Sequence, residues 1–237
     1  MLVLIVVLAA ASAGVWFGRH EATARQHPSL ARHTAKPKPP PAQKLSHHHP
    51  TADPPTRLVY GTPLLKGERV KAWKLFYALL LYSGNDDAAQ LAISSAGSIR
   101  GFLHQMNTKA KQLGLHDTHF RSPSGVIDEG NFSTAWDLAA LTRYALRNPR
   151  FVQLVRTTRI QVRWSRPTNS KIYLNNNYLL HAYHGANGVK TGYTSQSGLC
   201  LVATATRHGR KMLAVVLDSP DMYGDARQLL NLGFSHG

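Results

Sequence analysis

The chain has 237 residues and a mass of 26.1 kDa, enough for one good-sized domain or two small ones with a self-sustaining core. It carries 28 Lys+Arg against 12 Asp+Glu, a formal charge of +16, yet only 17% of residues are charged and 43% are hydrophobic. That balance excludes a disordered polyelectrolyte, and the single cysteine, Cys200, excludes an internal disulfide framework and a cysteine-based zinc site. The positive field favours anionic partners (nucleic acid, anionic lipid, polyanionic cell wall or a carboxylate substrate) without choosing among them.

Residues 1–17 are almost wholly apolar and pass through Ala11, Ser12 and Ala13, as a signal-peptide core with a small-residue exit would, although no basic segment precedes them. The stretch is short for a membrane span, which needs about 20 residues. Export is the expectation, a buried strand the alternative, and any membrane association is expected from this N-terminus. Residues 28–55 hold eight of the thirteen prolines together with His47-His48-His49, so residues 18–57 read as a Pro/His-rich irregular segment. Adjacent histidines without further ligands at a metal-binding spacing point to solvent, so no metal and no cofactor is expected.

From residue 58 to 237 the texture is that of an ordinary α/β (α+β) domain. The apolar run over 72–81 predicts a buried helix, Ser83-Gly84-Asn85 a break, and 86–93 a second helix. Ile99, Phe102, Leu103, Met106 and Ala110 predict a helix within 97–113 that Gly114 stops. A polar loop follows. Thr134 three residues before Asp137 resembles a capping box opening a helix through Leu138, Leu141, Tyr144 and Leu146, with Asn148-Pro149 ending it. Alternation over 159–164 predicts a strand; 199–205 and 211–217 predict a hairpin across 207–210; 221–232 predicts a closing helix.

Two short motifs carry chemistry. Lys190-Thr191-Gly192, expected at the start of a strand after the loop 185–188, joins an ammonium, a hydroxyl and a glycine that permits close approach, which suits a carboxylate clamp. Ser83-Gly84-Asn85 alone is an ordinary turn. In this order and 107 positions apart they supply two of the three elements of the S-x-x-K, Ser-x-Asn and K-T-G set of penicillin-binding proteins and class A β-lactamases.

Over residues 58–234 the sequence resembles the serine D-alanyl-D-alanine carboxypeptidases, the low-molecular-weight penicillin-binding proteins. The likeness rests on Leu65-Lys66-Gly67-Glu68-Arg69-Val70, Tyr82-Ser83-Gly84-Asn85-Asp86, residues 114–120, Ser133-Thr134-Ala135 and Gly188-Val189-Lys190-Thr191-Gly192-Tyr193-Thr194. The resemblance implies a penicillin-recognising, β-lactamase/transpeptidase-like fold, with an antiparallel sheet, a helical subdomain and an incomplete N-terminal part. It implies a site in the cleft between them, an acyl-enzyme mechanism on peptidoglycan stem peptides, β-lactams as inhibitors and an envelope location, in the periplasm or on the outer face of the cytoplasmic membrane. Ser83 would be the second hydroxyl of a proton relay and Asn85 would bind the substrate peptide. Lys190, Thr191 and Gly192 would hold its terminal carboxylate, and the strand would pair with it by strand addition.

The nucleophile motif is the departure. No Ser-x-x-Lys occurs anywhere. Val15-Trp16-Phe17-Gly18-Arg19-His20-Glu21 resembles the family's strand and turn before its nucleophile, and Ser29-Leu30-Ala31-Arg32 follows at about the expected distance. Arginine stands where lysine is expected and stays protonated, and the prolines from Pro37 onward forbid the family's long helix. The chain is then an inactive member, a frame-disturbed reading of an active gene, or an enzyme using Ser29 with another base; family-like sequence on both sides of a sharp compositional edge favours the second. Competing functions are a non-catalytic D-Ala-D-Ala binding protein and a β-lactamase with Asp128 or Glu129 as deacylating carboxylate. Charge alone suggests nucleic acid, but no recognisable module accompanies it. Asp137 reads as a cap partner, Cys200 as a small buried residue, and His116 and His119 as solvent-facing. Residues 19–58 hold seven basic and two acidic side chains, which leaves +11 on the family-like part.

Overall fold

The computed structural model describes residues 70–126, 130–164 and 169–236. The expected 1–17 segment, the Pro/His-rich segment 18–57, Ser29 with Arg32, Leu65 to Arg69, and Asp128 with Glu129 lie outside the described residues.

The chain is α+β, as the sequence predicts. Helix α1 (Ala72–Tyr77) runs without interruption into a π-helical turn, Ala78–Tyr82. Ala78 to Leu81 are fully buried, so the run is apolar on every side because it is surrounded by protein. It ends at Ser83, whose φ of 69° is left-handed; the amides of Ser83 and Gly84 close back onto the carbonyls of Leu79 and Ala78. Helix α2 (Asn85–Ala96) follows, starting one residue earlier and ending three later than expected, then α3 (Ile99–Gln112), capped by the Ser98 hydroxyl and closed by Gly114 in the left-handed region.

Helix α4 (Ala135–Ala145) begins where the capping signal places it, the Thr134 hydroxyl accepting from the Asp137 amide. It stops before Asn148-Pro149 as expected, but that pair has a second role. The pair terminates one helix and starts another, α5 (Pro149–Arg156), with the Asn148 side chain accepting from the amides of Arg150 and Phe151 and proline in the first turn. Asparagine is a strong N-cap, and proline at the first helical position lacks only an amide that would be unpaired there. The missed helix buries Phe151, Leu154 and Val155, a spacing visible in the sequence.

Strands β1 (Arg159–Arg163) and β2 (Ser170–Leu174) form an antiparallel pair, of which β2 is not anticipated. After α6 (Leu179–Ala182), strands β3 (Ala186–Thr194), β4 (Gly198–Arg207) and β5 (Arg210–Val216) form an antiparallel sheet in that order. Lys190-Thr191-Gly192 therefore lies within β3 rather than at its start, because Ala186 to Gly188, expected as loop, already pair with β4. The β4–β5 hairpin turns on His208 and Gly209, both at positive φ, as a two-residue turn that follows strand twist requires.

Alternation along β4 divides the core. Cys200 and Val202 face the helices α1 to α5, whereas Leu201, Ala203 and Ala205 pack with Ala226 and Leu230 of α7 (Met222–Ser235). The sheet is thus buried on both faces, with β3 on one edge.

Candidate active site

The fold brings Ser83 and Lys190 together across the boundary between helices and sheet. Lys190 is 1% exposed, and its ammonium donates to the Ser83 hydroxyl and, at 2.8 Å, to the Thr191 carbonyl. Among the described residues no carboxylate neutralises it. Burial pushes its pKa from 10.5 down to about 7. A buried cation that meets only a hydroxyl and a carbonyl oxygen is stabilised by any anion that enters beside it.

The π-turn and its stop hold Ser83 in place. The Asn176 amide donates to the Leu81 carbonyl at 2.9 Å and its side chain donates to the Tyr82 carbonyl at 3.4 Å. Asn175 in turn donates to the carbonyls of Thr157 and Val155. This asparagine run ties the loop after β2 to the backbone carrying Ser83. It was not singled out from the sequence, although three consecutive asparagines next to a strand are an available signal for backbone pairing.

Gly84 is fixed by close approach. A Cβ there would stand 1.9 Å from Oδ2 of Asp87. Asp87 is buried on the first turn of α2, and burial raises its pKa to about 7; the Lys171 charge opposes that rise and Asp86 adds to it. Lys171, itself buried, also has its ammonium 3.9 Å from the centroid of the Trp164 ring. Asp87 and Lys171 are a buried charged pair behind the motif that sequence reading missed.

Asn85 is the first residue of α2, and its side-chain oxygen is buried with no hydrogen-bond partner among the described residues. Such an acceptor normally has a donor, and a substrate amide would supply one. Thr191 is largely buried and Gly192 half-buried on β3, whose edge away from β4 has no partner strand among the described residues. Ser83, Asn85, Lys190, Thr191 and Gly192 thus bring together a hydroxyl, an open amide acceptor, a buried cation and a strand edge unpaired among the described residues, a set chemically suited to an extended peptide with a terminal carboxylate.

The residues read as structural behave so. The Asp137 carboxylate accepts from the Thr118 hydroxyl at 2.6 Å and the Asp117 amide at 3.0 Å, which joins α4 to the preceding loop. Cys200 is buried, His116 and His119 are exposed, and His119 stacks on Phe132.

Comparison with known proteins follows the same lines. The peptidase S11 family model, D-alanyl-D-alanine carboxypeptidase, matches residues 44–221. The chain is 36% identical over 185 residues to the D-alanyl-D-alanine carboxypeptidase of Streptomyces sp. strain K15, covering 73% of this chain and 64% of that protein. It is 32% identical over 173 residues to D-alanyl-D-alanine carboxypeptidase DacF of Bacillus subtilis, covering 71% of this chain and 44% of DacF. The chain therefore spans less than two thirds of the length of either relative. The crystal structure of the Streptomyces K15 DD-transpeptidase superposes with a TM-score of 0.68 at 36% identity, over 73% of this chain and 71% of that one. Penicillin-binding protein D2 of Listeria monocytogenes, in its ampicillin-bound form, gives a TM-score of 0.62 at 30% identity, over 70% of this chain and 68% of that one. The match spans helices and sheet alike, and on it the chain belongs to the D-alanyl-D-alanine carboxypeptidase family.

Proposed function

We propose that this chain recognises peptidoglycan stem peptides ending in D-Ala-D-Ala and is built for serine acyl transfer on them, as an exported protein of the cell envelope with β-lactams as inhibitors. The carrying observation is the buried Lys190 ammonium, without a carboxylate among the described residues, held on the Ser83 hydroxyl beside the open edge of β3. The terminal carboxylate would lie against Lys190 and Thr191, and the peptide would pair antiparallel with β3. Its amide would donate to the unpartnered oxygen of Asn85.

In acyl transfer a serine Oγ adds to the carbonyl of the D-Ala-D-Ala bond. The C–N bond then breaks, D-alanine leaves with a proton, and water or an amine takes the acyl group from the serine. Ser83 and Lys190 form a proton path to the leaving nitrogen, and a lysine held near 7 exchanges protons at neutral pH. Ser29 is the candidate nucleophile and lies outside the described residues. Arg32 cannot serve as its base.

That departure favours a second reading, a non-catalytic D-Ala-D-Ala binding protein that keeps the clamp. A β-lactamase additionally needs a deacylating carboxylate, for which Asp128 and Glu129 are the candidates; turnover of a chromogenic cephalosporin tests it. Labelled penicillin and a D-Ala-D-Ala peptide separate the other two. A covalent band at 26 kDa with release of D-alanine is the enzyme, and peptide binding without label is the binding protein. Neither label nor binding overturns both. Reading the encoding DNA between the codons for Gln26 and Leu58 in three frames tests the frame-disturbed origin; no S-x-x-K helix in any frame rejects it.

A further inference from the structure

Beside α1 a cavity of about 280 Å³ opens where α1, α5 and β1 meet. Among the described residues Trp73 and Tyr77 of α1, Arg150, Gln153 and Leu154 of α5 and Ile160 of β1 line it. Trp73 stands ten residues before Ser83, about 15 Å at the helical rise of about 1.5 Å per residue, so the cavity is separate from the peptide site.

The lining divides into rings, floor and polar rim. Trp73 and Tyr77, one helical turn apart, are half-buried, with ring centroids 6.1 Å apart and planes at 88°. Buried Leu154 and half-buried Ile160 give an apolar floor. Arg150 and Gln153, exposed and three residues apart on α5, add a guanidinium and a carboxamide. Asn148 fixes the turn that carries Arg150, its side chain accepting from the amides of Arg150 and Phe151.

The surroundings are cationic. The charged residues of α1, α5 and β1 are Lys74, Arg150, Arg156, Arg159 and Arg163, and the sequence has no acidic residue from 70 to 85 or from 138 to 217. Lys74 is committed within the protein, donating to the Arg163 carbonyl with its ammonium 5.3 Å from the centroid of the Trp164 ring. Arg150 is the one charged group among the described lining residues.

Two perpendicular rings make a corner, where a flat base finds a single face. A chair-shaped sugar offers its apolar C–H face to the indole and a second edge to the phenol ring. Its hydroxyls would meet Gln153, and an anionic substituent would meet the guanidinium, which takes carboxylate or phosphate oxygens in pairs. The volume lies at the small end of ligand pockets, the scale of one such ring.

We infer that this cavity is a binding site for an anionic glycan: a sugar bearing a carboxylate or phosphate, its ring against Trp73 and Tyr77 and its charge on Arg150. The site goes beyond the D-Ala-D-Ala reading and does not depend on it.

Titration calorimetry on the full chain tests it with tetragalacturonate, glucose 6-phosphate, neutral cellotetraose and adenosine monophosphate. The expected result is that one of the two anionic sugars binds about tenfold more tightly than cellotetraose, the size of one charged hydrogen bond, and thereby identifies the anion. Arg150→Gln brings that ligand to the level of cellotetraose. Trp73→Leu, which keeps an apolar side chain, weakens both about fivefold. Arg143→Gln, at an exposed cation of α4 outside the cavity, leaves binding unchanged. Thermal unfolding checks that each variant is folded; Arg150 is exposed, so its substitution decides the matter if Trp73→Leu unfolds. Cellotetraose binding as tightly as both anionic sugars overturns the charge assignment, and adenosine monophosphate binding more tightly than either overturns the sugar. No loss from Arg150→Gln, or an equal loss from Arg143→Gln, overturns the cavity as the site. Absence of binding by every sugar overturns the proposal as a whole.

Discussion

Two lysines are buried among the described residues, and they are buried differently. Lys171 lies over the face of Trp164 with Asp87 as its electrostatic neighbour, so its charge is compensated within the protein. Among the described residues Lys190 meets only the Ser83 hydroxyl and the Thr191 carbonyl, and burial brings its pKa to about 7. Equal burial therefore gives opposite chemistry: one cation completes the core, while the other is left in need of an anion. Compensation, more than depth, separates a structural charge from a binding one.

The contrast is broken most sharply by removing each charge. Lys171→Met leaves the Asp87 carboxyl buried without its counter-charge and is expected to cost about 3 kcal/mol of folding stability, read in denaturant unfolding. It leaves peptide affinity per folded molecule unchanged. Lys190→Met does the reverse: stability is unchanged or slightly raised, and affinity for a D-Ala-D-Ala peptide falls about 100-fold, the worth of a buried charged hydrogen bond of nearly 3 kcal/mol. If the two substitutions shift stability and affinity alike, the distinction fails.

Gly84→Ala tests the packing behind Ser83. The new methyl meets the Asp87 carboxylate at 1.9 Å, so that group must turn away, at an expected cost of about 2 kcal/mol. Unaltered thermal unfolding would show that Asp87 is not held there.

Titration sharpens the contrast further. Folded Lys190 titrates at about 7 against 10.5 when free, so between these values the unfolded chain binds the extra proton and this group's contribution to stability rises with pH. Carboxylate affinity moves the other way. Above pH 7 a neutral amine no longer attracts the peptide terminus, and affinity is expected to fall by up to tenfold per pH unit in calorimetry. Asp87, raised to about 7 from 3.8, makes its contribution to stability fall as pH rises between those values. A pH-independent affinity from 6 to 9 would reject an uncompensated Lys190. The smallest effect is expected at a site remote from both lysines: Thr134→Ala removes the α4 cap and costs about 1 kcal/mol, with peptide affinity unchanged.

The lysines also mark how far sequence reading reaches. Local signals carried the Ser83-Gly84-Asn85 break, the Thr134 cap and the β4–β5 hairpin, because each depends on neighbours a few residues away. The stop at Asn148-Pro149 is legible, but the helix it starts is not, for a local reason: the same two residues stop one helix and start the next. Strand β2 is short and flanked by asparagines, so its alternation is only five residues long. The burial of Lys171 depends on Trp164 and Asp87 and has no local signature. The meeting of Ser83 with Lys190 was anticipated only through family resemblance, since spacing along the chain does not specify it.

Ser83 sets stability against chemistry at a single position. Its left-handed backbone, imposed by the π-turn, costs a serine about 1 kcal/mol that glycine would not incur. Glycine would relax the turn and remove the hydroxyl that Lys190 contacts. A thermostability screen of this chain should therefore return Ser83→Gly among its gains, and the selected variants would bind the chain's own substrate less well.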